Sequence, residues 1–464
     1  RLVAAADTAN AAGANVEALR HLRAALELAT PDRHLDLYES MADTTVHGDT
    51  SIEFLTTALG LARASGEPRE RIIRIIAKIL TFHTRWQGSV AGRPSEAELM
   101  ELVNEGRAGL HAVTDETVRA HFLLVEAFLP FWIRVGGRAP SDEELGRGDG
   151  NGRAAVEVAQ RLGDAALASA ALDGIGTIAQ MRGDFEGMRS TAQQRLDMGE
   201  RLSVAERIDA ACMVAWACLL LGDLDRGDAV AGSALAVVQP GQAGNWALHL
   251  AAWRALIATL RGDWDVAIAA ANKAHGFWLE LGQVPAGYAI RGFLAALSVA
   301  QARGDDSGAA HWREVVGQIA SAFQGTQGRR LQGAIGANDA ATVVEALEGL
   351  ETTTIGDDTL ERALGFVSDR AIPIDPGALQ RIDDLTFPTA RLAHAQIDRA
   401  RGLANGDPGP LRRALDMFAT AGARPDEARV RVELGRLTGD EGMTEEGLRM
   451  LREIGDVAQL DRFA

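Results

Sequence analysis

The chain has 464 residues, and its 64 acidic against 47 basic side chains give a net charge of −17 and a pI near 5.1. That balance repels a phosphate backbone, and no arginine stripe is interleaved with aromatics, so nucleic acid is excluded as a partner. Alanine, leucine and arginine are abundant, aromatics are only 5% of residues, and the composition predicts an all-α protein.

Residues 1–135 read as N-terminal helical repeats. Ala6, Gly13, Ala18, Ala25 and Leu26 set a first frame, and a second turn follows at His47-Gly48-Asp49, where the alanines slip out of register. Apolar helices are predicted over Ile72 to Leu80 and His121 to Val135, the latter bent or ended by Pro130. Residues 136–152 contain Gly146-Arg147-Gly148-Asp149-Gly150-Asn151-Gly152, a composition that predicts a flexible hinge and the part of the chain expected to move.

Residues 153–322 form a central array. Its turns read Arg182-Gly183-Asp184-Phe185, Leu221-Gly222-Asp223-Leu224, Arg261-Gly262-Asp263-Trp264 and Arg303-Gly304-Asp305-Asp306. The glycines are 39, 40 and 42 residues apart, the period of a stacked helix pair plus its connection. A glycine accepts the left-handed conformation that ends one helix, and the aspartate after it is expected to cap the next. Residues 323–464 continue as C-terminal helical repeats after a weak joint at Gln324 to Gly336. They contain Pro373, Pro376 and Pro388, and prolines are expected to interrupt the repeat at Asn405-Gly406-Asp407-Pro408.

Small residues recur around these turns, such as Ala255 and Ala274 about Gly262, or Ala215, Gly227 and Ala234 about Gly222. In these offsets the chain resembles the tetratricopeptide repeat (TPR), in which Gly-Asp-aromatic forms the turn between two close helices. The fold expected is an all-α, TPR-like α-solenoid, a right-handed superhelix of antiparallel helix pairs. In such a stack the first helix of each pair lines the concave face, which here carries Asp173, Thr177, Trp216, His249, Leu256, Arg291 and Ser298. These are the groove candidates for a protein or peptide partner or a small-molecule effector. Trp216, Trp246, Trp253, Trp264 and Trp278 also fall in the central array, and either packing between helices or a binding surface accounts for them.

Chemical motifs are missing. No Gly-Lys pair exists for a P-loop, so residues 146–152 are not a phosphate cradle. The ten histidines form no HExxH or Cys-His cluster, and no metal site or cofactor is expected. There is no GxSxG elbow, and Asp305-Asp306, Asp357-Asp358 and Asp383-Asp384 lack the third acid of a metal-binding cyclase motif. No catalytic residue is assigned. Cys212 and Cys218, six apart in an apolar helix, predict free buried thiols in a reducing compartment. The run from Ala210 to Leu221 is too short to cross a bilayer, no membrane partner is expected, and the expected location is the cytoplasm.

The carboxyl end carries a further pattern: Ala414-Leu415-Asp416-Met417-Phe418, Ala421-Gly422-Ala423, Ala428 through Asp440, then Glu446 to Leu451 and Ile454 to Arg462. It resembles the tail of bacterial regulators that join a STAND/AAA ATPase to a TPR arm, above all those linked to an adenylate/guanylate cyclase domain and more distantly the LuxR-type activators. The resemblance implies an upstream ATPase and effector domain in cis. A start at Arg1, inside a repeat helix, fits that expectation. The alternative is a freestanding TPR scaffold that assembles partner proteins.

Overall fold

The computed structural model describes residues 1–11, 14–45, 48–90, 92–238, 244–284, 286–322, 327–350 and 358–464. Gly13, His47, Asp357 and residues 324–326 of the joint lie outside them. All regular structure among the described residues is helical. The N-terminal third contains α1 (Leu2–Ala11), α2 (Asn15–Leu28), α3 (His34–Thr44), α4 (Gly48–Ser65), α5 (Arg69–Thr84), α6 (Glu96–Gly109) and α7 (Glu116–Val135). The middle contains α8 (Asp142–Leu162), α9 (Ala165–Met181), α10 (Phe185–Asp197), α11 (Val204–Leu221), α12 (Leu224–Ala236), α13 (Gly244–Arg261), α14 (Trp264–Glu280), α15 (Ile290–Ala302) and α16 (Asp306–Ala322). Then follow α17 (Gln327–Ala337), α18 (Ala340–Glu348), α19 (Asp358–Ser368), α20 (Pro376–Leu385), α21 (Arg391–Asn405), α22 (Pro408–Ala421), α23 (Arg424–Thr438), α24 (Glu441–Ile454) and α25 (Val457–Phe463).

Neighbours in sequence pack as antiparallel pairs, and from α5 to α21 most odd-numbered helices also touch the next odd one. This is an all-α, TPR-like solenoid whose inner wall is made of the odd helices. One apolar cluster runs from Phe185 to Leu434, so the central and C-terminal repeats share a core. The N-terminal third packs separately around Ile73, Val103 and Phe122.

The repeat turns adopt the expected geometry, with φ of 75° at Gly183, 72° at Gly222, 82° at Gly262 and 70° at Gly304. Only glycine takes this region freely. Capping is less uniform than the sequence predicts. Asp184 and Asp305 accept from the Gly187 and Gly308 amides, whereas Asp223 and Asp263 instead pair with Arg189 and Arg261, each at 3.0 Å. The turns also carry the superhelix onto itself: Phe387 packs on Gly183, Ala421 on Gly222, and Pro425 with Ile454 on Gly262. Thr389 Oγ1 donates to the Gly183 carbonyl at 2.6 Å, across 206 residues. The C-terminal repeats therefore stack along a row of central turns, with α21 against α11, α23 against α13 and α25 against α15.

Three expectations are corrected. From Asp142 onward, the hinge predicted over 136–152 is the first half of α8, started by a Ser141/Glu144 capping box. Its glycines serve close packing: a Cβ on Gly148 would lie 2.8 Å from Ile178 Cδ1 and 3.2 Å from the Ala127 carbonyl, and one on Gly152 would lie 2.9 Å from Ile175 Cγ1. Pro130 does not end α7, which runs on to Val135. Pro408 does not interrupt the repeat, because it occupies the first turn of α22, where a missing N–H leaves no helical bond unmade.

Gly148→Ala should destabilise the chain by roughly 1–3 kcal/mol through overpacking. Gly146→Ala and Gly150→Ala, which meet nothing within 4 Å, should each stabilise it by about 0.5–1 kcal/mol. Urea unfolding measures both, and equal, negligible effects at all three positions would contradict the packed-helix reading.

Candidate functional site

After α5 the chain turns through Arg85 and Trp86 into a short 3₁₀ segment, Gln87–Ser89, that lies against a second one, Gly287–Ala289. Gly88 makes this approach possible, since a Cβ there would sit 3.1 Å from a Tyr288 ring carbon. The N-terminal third is thereby folded over the inner helices α9, α11 and α13. Between them lies a cavity of about 640 Å³, within the range that holds a drug-sized molecule. Its lining is aromatic, with Trp86, Phe128, Phe131, Trp132, Trp216, Trp246 and Tyr288, and it carries three arginines, Arg85, Arg93 and Arg291.

Of the groove candidates, Asp173 and Thr177 on α9, Trp216 on α11, His249 on α13 and Arg291 on α15 line this one cavity. Leu256 and Ser298 do not. They border a second cavity of about 350 Å³, which the C-terminal repeats cover with Gln396, Asp426 and Arg429. Leu256 is almost fully buried, as wall rather than contact surface, and the Thr177 hydroxyl donates to the Asp173 carbonyl at 2.9 Å. Both readings of the tryptophans apply, to different residues. Trp253, Trp264 and Trp278 are core residues, whereas Trp216 and Trp246 are half-buried in the cavity wall.

The floor of the cavity is a buried charge cluster. Arg195, almost fully enclosed, donates to Asp173 at 2.8 Å, to Ser169 at 3.0 Å, to Glu206 at 3.3 Å and to Asp209. Arg85 reaches the same carboxylates from the other side, at 2.9 Å to Asp173, 3.2 Å to Glu206 and 3.5 Å to Asp209. Three carboxylates share two guanidinium groups, so the cluster is one positive charge short. Burial pushes Asp209 up to about 6, with the Arg195 guanidinium opposing and the Asp173 charge adding. Glu206 is held at about 2, because Arg85 and Arg195 outweigh its burial.

Each arginine of the lining also lies over a tryptophan: Arg85 on Trp86 at 4.0 Å, Arg93 on Trp132 at 4.1 Å and Arg291 on Trp253 at 3.6 Å. Trp86 meets Trp246 with centroids 4.9 Å apart, and Trp216 stacks on Trp253 at 5.5 Å. Arg291 faces the fully buried Asp358 at 3.2 Å. Tyr288 donates to Asn245 at 3.1 Å. His83 is pushed down to about 4 by burial and is neutral at pH 7. Burial likewise raises the Cys212 thiol well above its usual range, and Cys212 and Cys218 are both free and buried. Such an arrangement has the room and the polar groups to hold and orient a molecule. It offers neither an activated nucleophile nor, among the described residues, a group of three or more metal ligands. No described helix is long and apolar enough to cross a membrane.

Sequence reasoning missed Arg85, Trp86, Gln87, Arg93, Trp132 and Tyr288. Five of these six come from the N-terminal third, and no local motif shows that the superhelix delivers them to the central array.

No family model and no curated protein matches this chain. Two of the solved structures similar to it illustrate the likeness. Yeast Tom70 shares 10% identity at a TM-score of 0.34, over 99% of this chain and 95% of that one. A circular tandem repeat protein with novel repeat topology shares 14% at a TM-score of 0.17, over 96% and 95%. Likeness of this degree carries no argument about function, and the fold rests on the helix pairs described above.

The raised Asp209 carboxyl keeps a proton that the unfolded chain, with a pKa near about 3.9, gives up. Its contribution to stability therefore falls as pH rises from about 4 to about 6. Glu206 acts in the opposite sense, its contribution being lost as pH falls from about 4 to about 2. Asp209→Asn should remove the decline between about pH 4 and 6, read as unfolding midpoints across pH, and an unchanged slope would contradict the shared-charge cluster.

Proposed function

We propose that this chain is the ligand-sensing and protein-interaction arm of a multidomain bacterial signalling regulator, working in the cytoplasm and attached to an upstream ATPase with or without a nucleotide cyclase. The observation that carries the sensing role is the cavity, whose walls come from the N-terminal third and from the central repeats together. A molecule held there contacts both, so it favours one relative placement of the two, and that difference in affinity is what biases an attached domain. The cis-acting domain is supported by the resemblance of residues 414–462 to the tails of such regulators. An aromatic cavity of about 640 Å³ suits a small effector better than an extended peptide.

The test is a fragment screen by thermal shift on the wild type and on Met213→Trp, which places an indole in the cavity from α11. A ligand at a hundred times its Kd adds about 2.7 kcal/mol, a rise of roughly 2–4 °C or less for a chain of this size. Hits should raise the wild-type midpoint and leave that of Met213→Trp unmoved, with helicity equal in both. Hits that act equally on the two proteins, or the lack of any hit, would overturn the reading.

A further inference from the structure

The cavity wall contains polar groups that the protein itself leaves unused. The indole nitrogens of Trp216 and Trp246 and the amide nitrogen of Gln87 are buried, and none finds a hydrogen-bond partner among the described residues. All three line the same cavity. All three are donors, and a buried donor without an acceptor loses its full hydration. The Gln87 amide is oriented by its carbonyl, which accepts from Arg93 at 3.3 Å and so assigns the other end as N–H. The acceptors, in contrast, are committed. Asp173 and Asp209 are engaged by Arg85 and Arg195, and the Asn245 carbonyl accepts from Tyr288.

The charges point the same way. An aromatic box by itself would suit a cation. Here the protein's own guanidinium groups already lie over Trp86, Trp132 and Trp253, so the ring faces a cationic ligand would use are taken, while Arg85 and Arg291 are themselves offset by Asp173, Glu206, Asp209 and Asp358. Arg93, an exposed residue on the cavity lining, has no carboxylate within ion-pair distance among the described residues, its contacts being the Trp132 carbonyl and Gln87. Spare donors and an unpaired guanidinium call for acceptor oxygens carrying negative charge. The tryptophan walls call for a flat ring beside them.

We infer that the cavity takes a planar aromatic carboxylate, with its ring between the Trp86–Trp246 pair and the Trp216–Trp253 stack and its carboxylate on the indole N–H groups, the Gln87 amide and Arg93. The inference rests on the ligand-binding reading above and adds the class of ligand.

Calorimetric titration of the whole chain with four probes tests it: 2-naphthoate, 2-naphthylmethanol, 2-naphthylmethylamine and cyclohexanecarboxylate. The naphthoate should bind tightest. Trp216→Phe and Trp246→Phe keep a ring in the wall but remove one N–H each, and each should weaken naphthoate by about tenfold while leaving naphthylmethanol unchanged. Arg93→Met should do the same. Tighter binding of the neutral or cationic naphthalene, or naphthoate affinity that ignores all three substitutions, would overturn the anionic class. If those naphthalenes are also lost in Met213→Trp, the cavity remains a ligand site and only the class is wrong. Binding by none of the four would reject an aromatic carboxylate outright, while the fragment screen decides separately whether the cavity binds anything.

Discussion

The arrangement of the inner face depends on one interaction, the buried cluster in which Arg85 and Arg195 share Asp173, Glu206 and Asp209. Enclosing charge is costly, and breaking such a cluster from one side leaves an uncompensated ion, typically worth about 3–5 kcal/mol. What this cluster secures is a position. Arg85 is 88 residues from Asp173 and 121 from Glu206, so the contact fixes the N-terminal third against the central repeats. In a solenoid the small rotation between neighbouring repeats sets the curvature, and a contact between distant repeats pins where the curled stretches meet.

That fixed curl creates the cavity. Gln87–Ser89 meets Gly287–Ala289 because Arg85 is anchored just before it, and Trp86 is carried onto Trp246 by the same turn. At the far end, the C-terminal repeats lie on the central turns at Gly183, Gly222 and Gly262 and close a second, smaller cavity with their own arginine and carboxylate cluster around Arg399, Arg429 and Asp369. Buried ion pairs thus join the N-terminal third to the central repeats at Arg85 and the central to the C-terminal repeats at Arg291 and Asp358, whereas the Arg399 and Arg429 cluster lies within the C-terminal repeats. A shifted register at these places would strand a buried charge.

Much of the fold was legible because the repeat imposes a backbone requirement. Gly183, Gly222, Gly262 and Gly304 all have a positive φ, and a glycine recurring every 39 to 42 residues is the trace such a requirement leaves. Residues 146–152 misled because local composition does not distinguish glycines that loosen a chain from glycines that let helices touch. The distinguishing signals were present, in the Ser141-x-x-Glu144 start and in the four-residue step between Gly148 and Gly152, which puts both on one helix face. For the site, position on the inner helices was enough to select Asp173, Thr177, Trp216, His249 and Arg291, which the structure brings to one cavity. Leu256 and Ser298 obey the same periodicity but lie farther along, under the C-terminal repeats. Trp86, Trp132 and Arg93 were invisible because superhelical curvature is a sum of many small rotations that no single motif encodes.

Arg85 docks the N-terminal third on the central repeats and so shapes the cavity. Pulsed electron paramagnetic resonance between spin labels at the exposed positions Glu101 on α6 and Glu280 on α14 tests it most directly, because the native cysteines are buried. A single narrow distance is expected in the wild type, broadening in Arg85→Met with helicity retained. The same narrow distance in both proteins would show that the curl is set elsewhere, and would contradict the account.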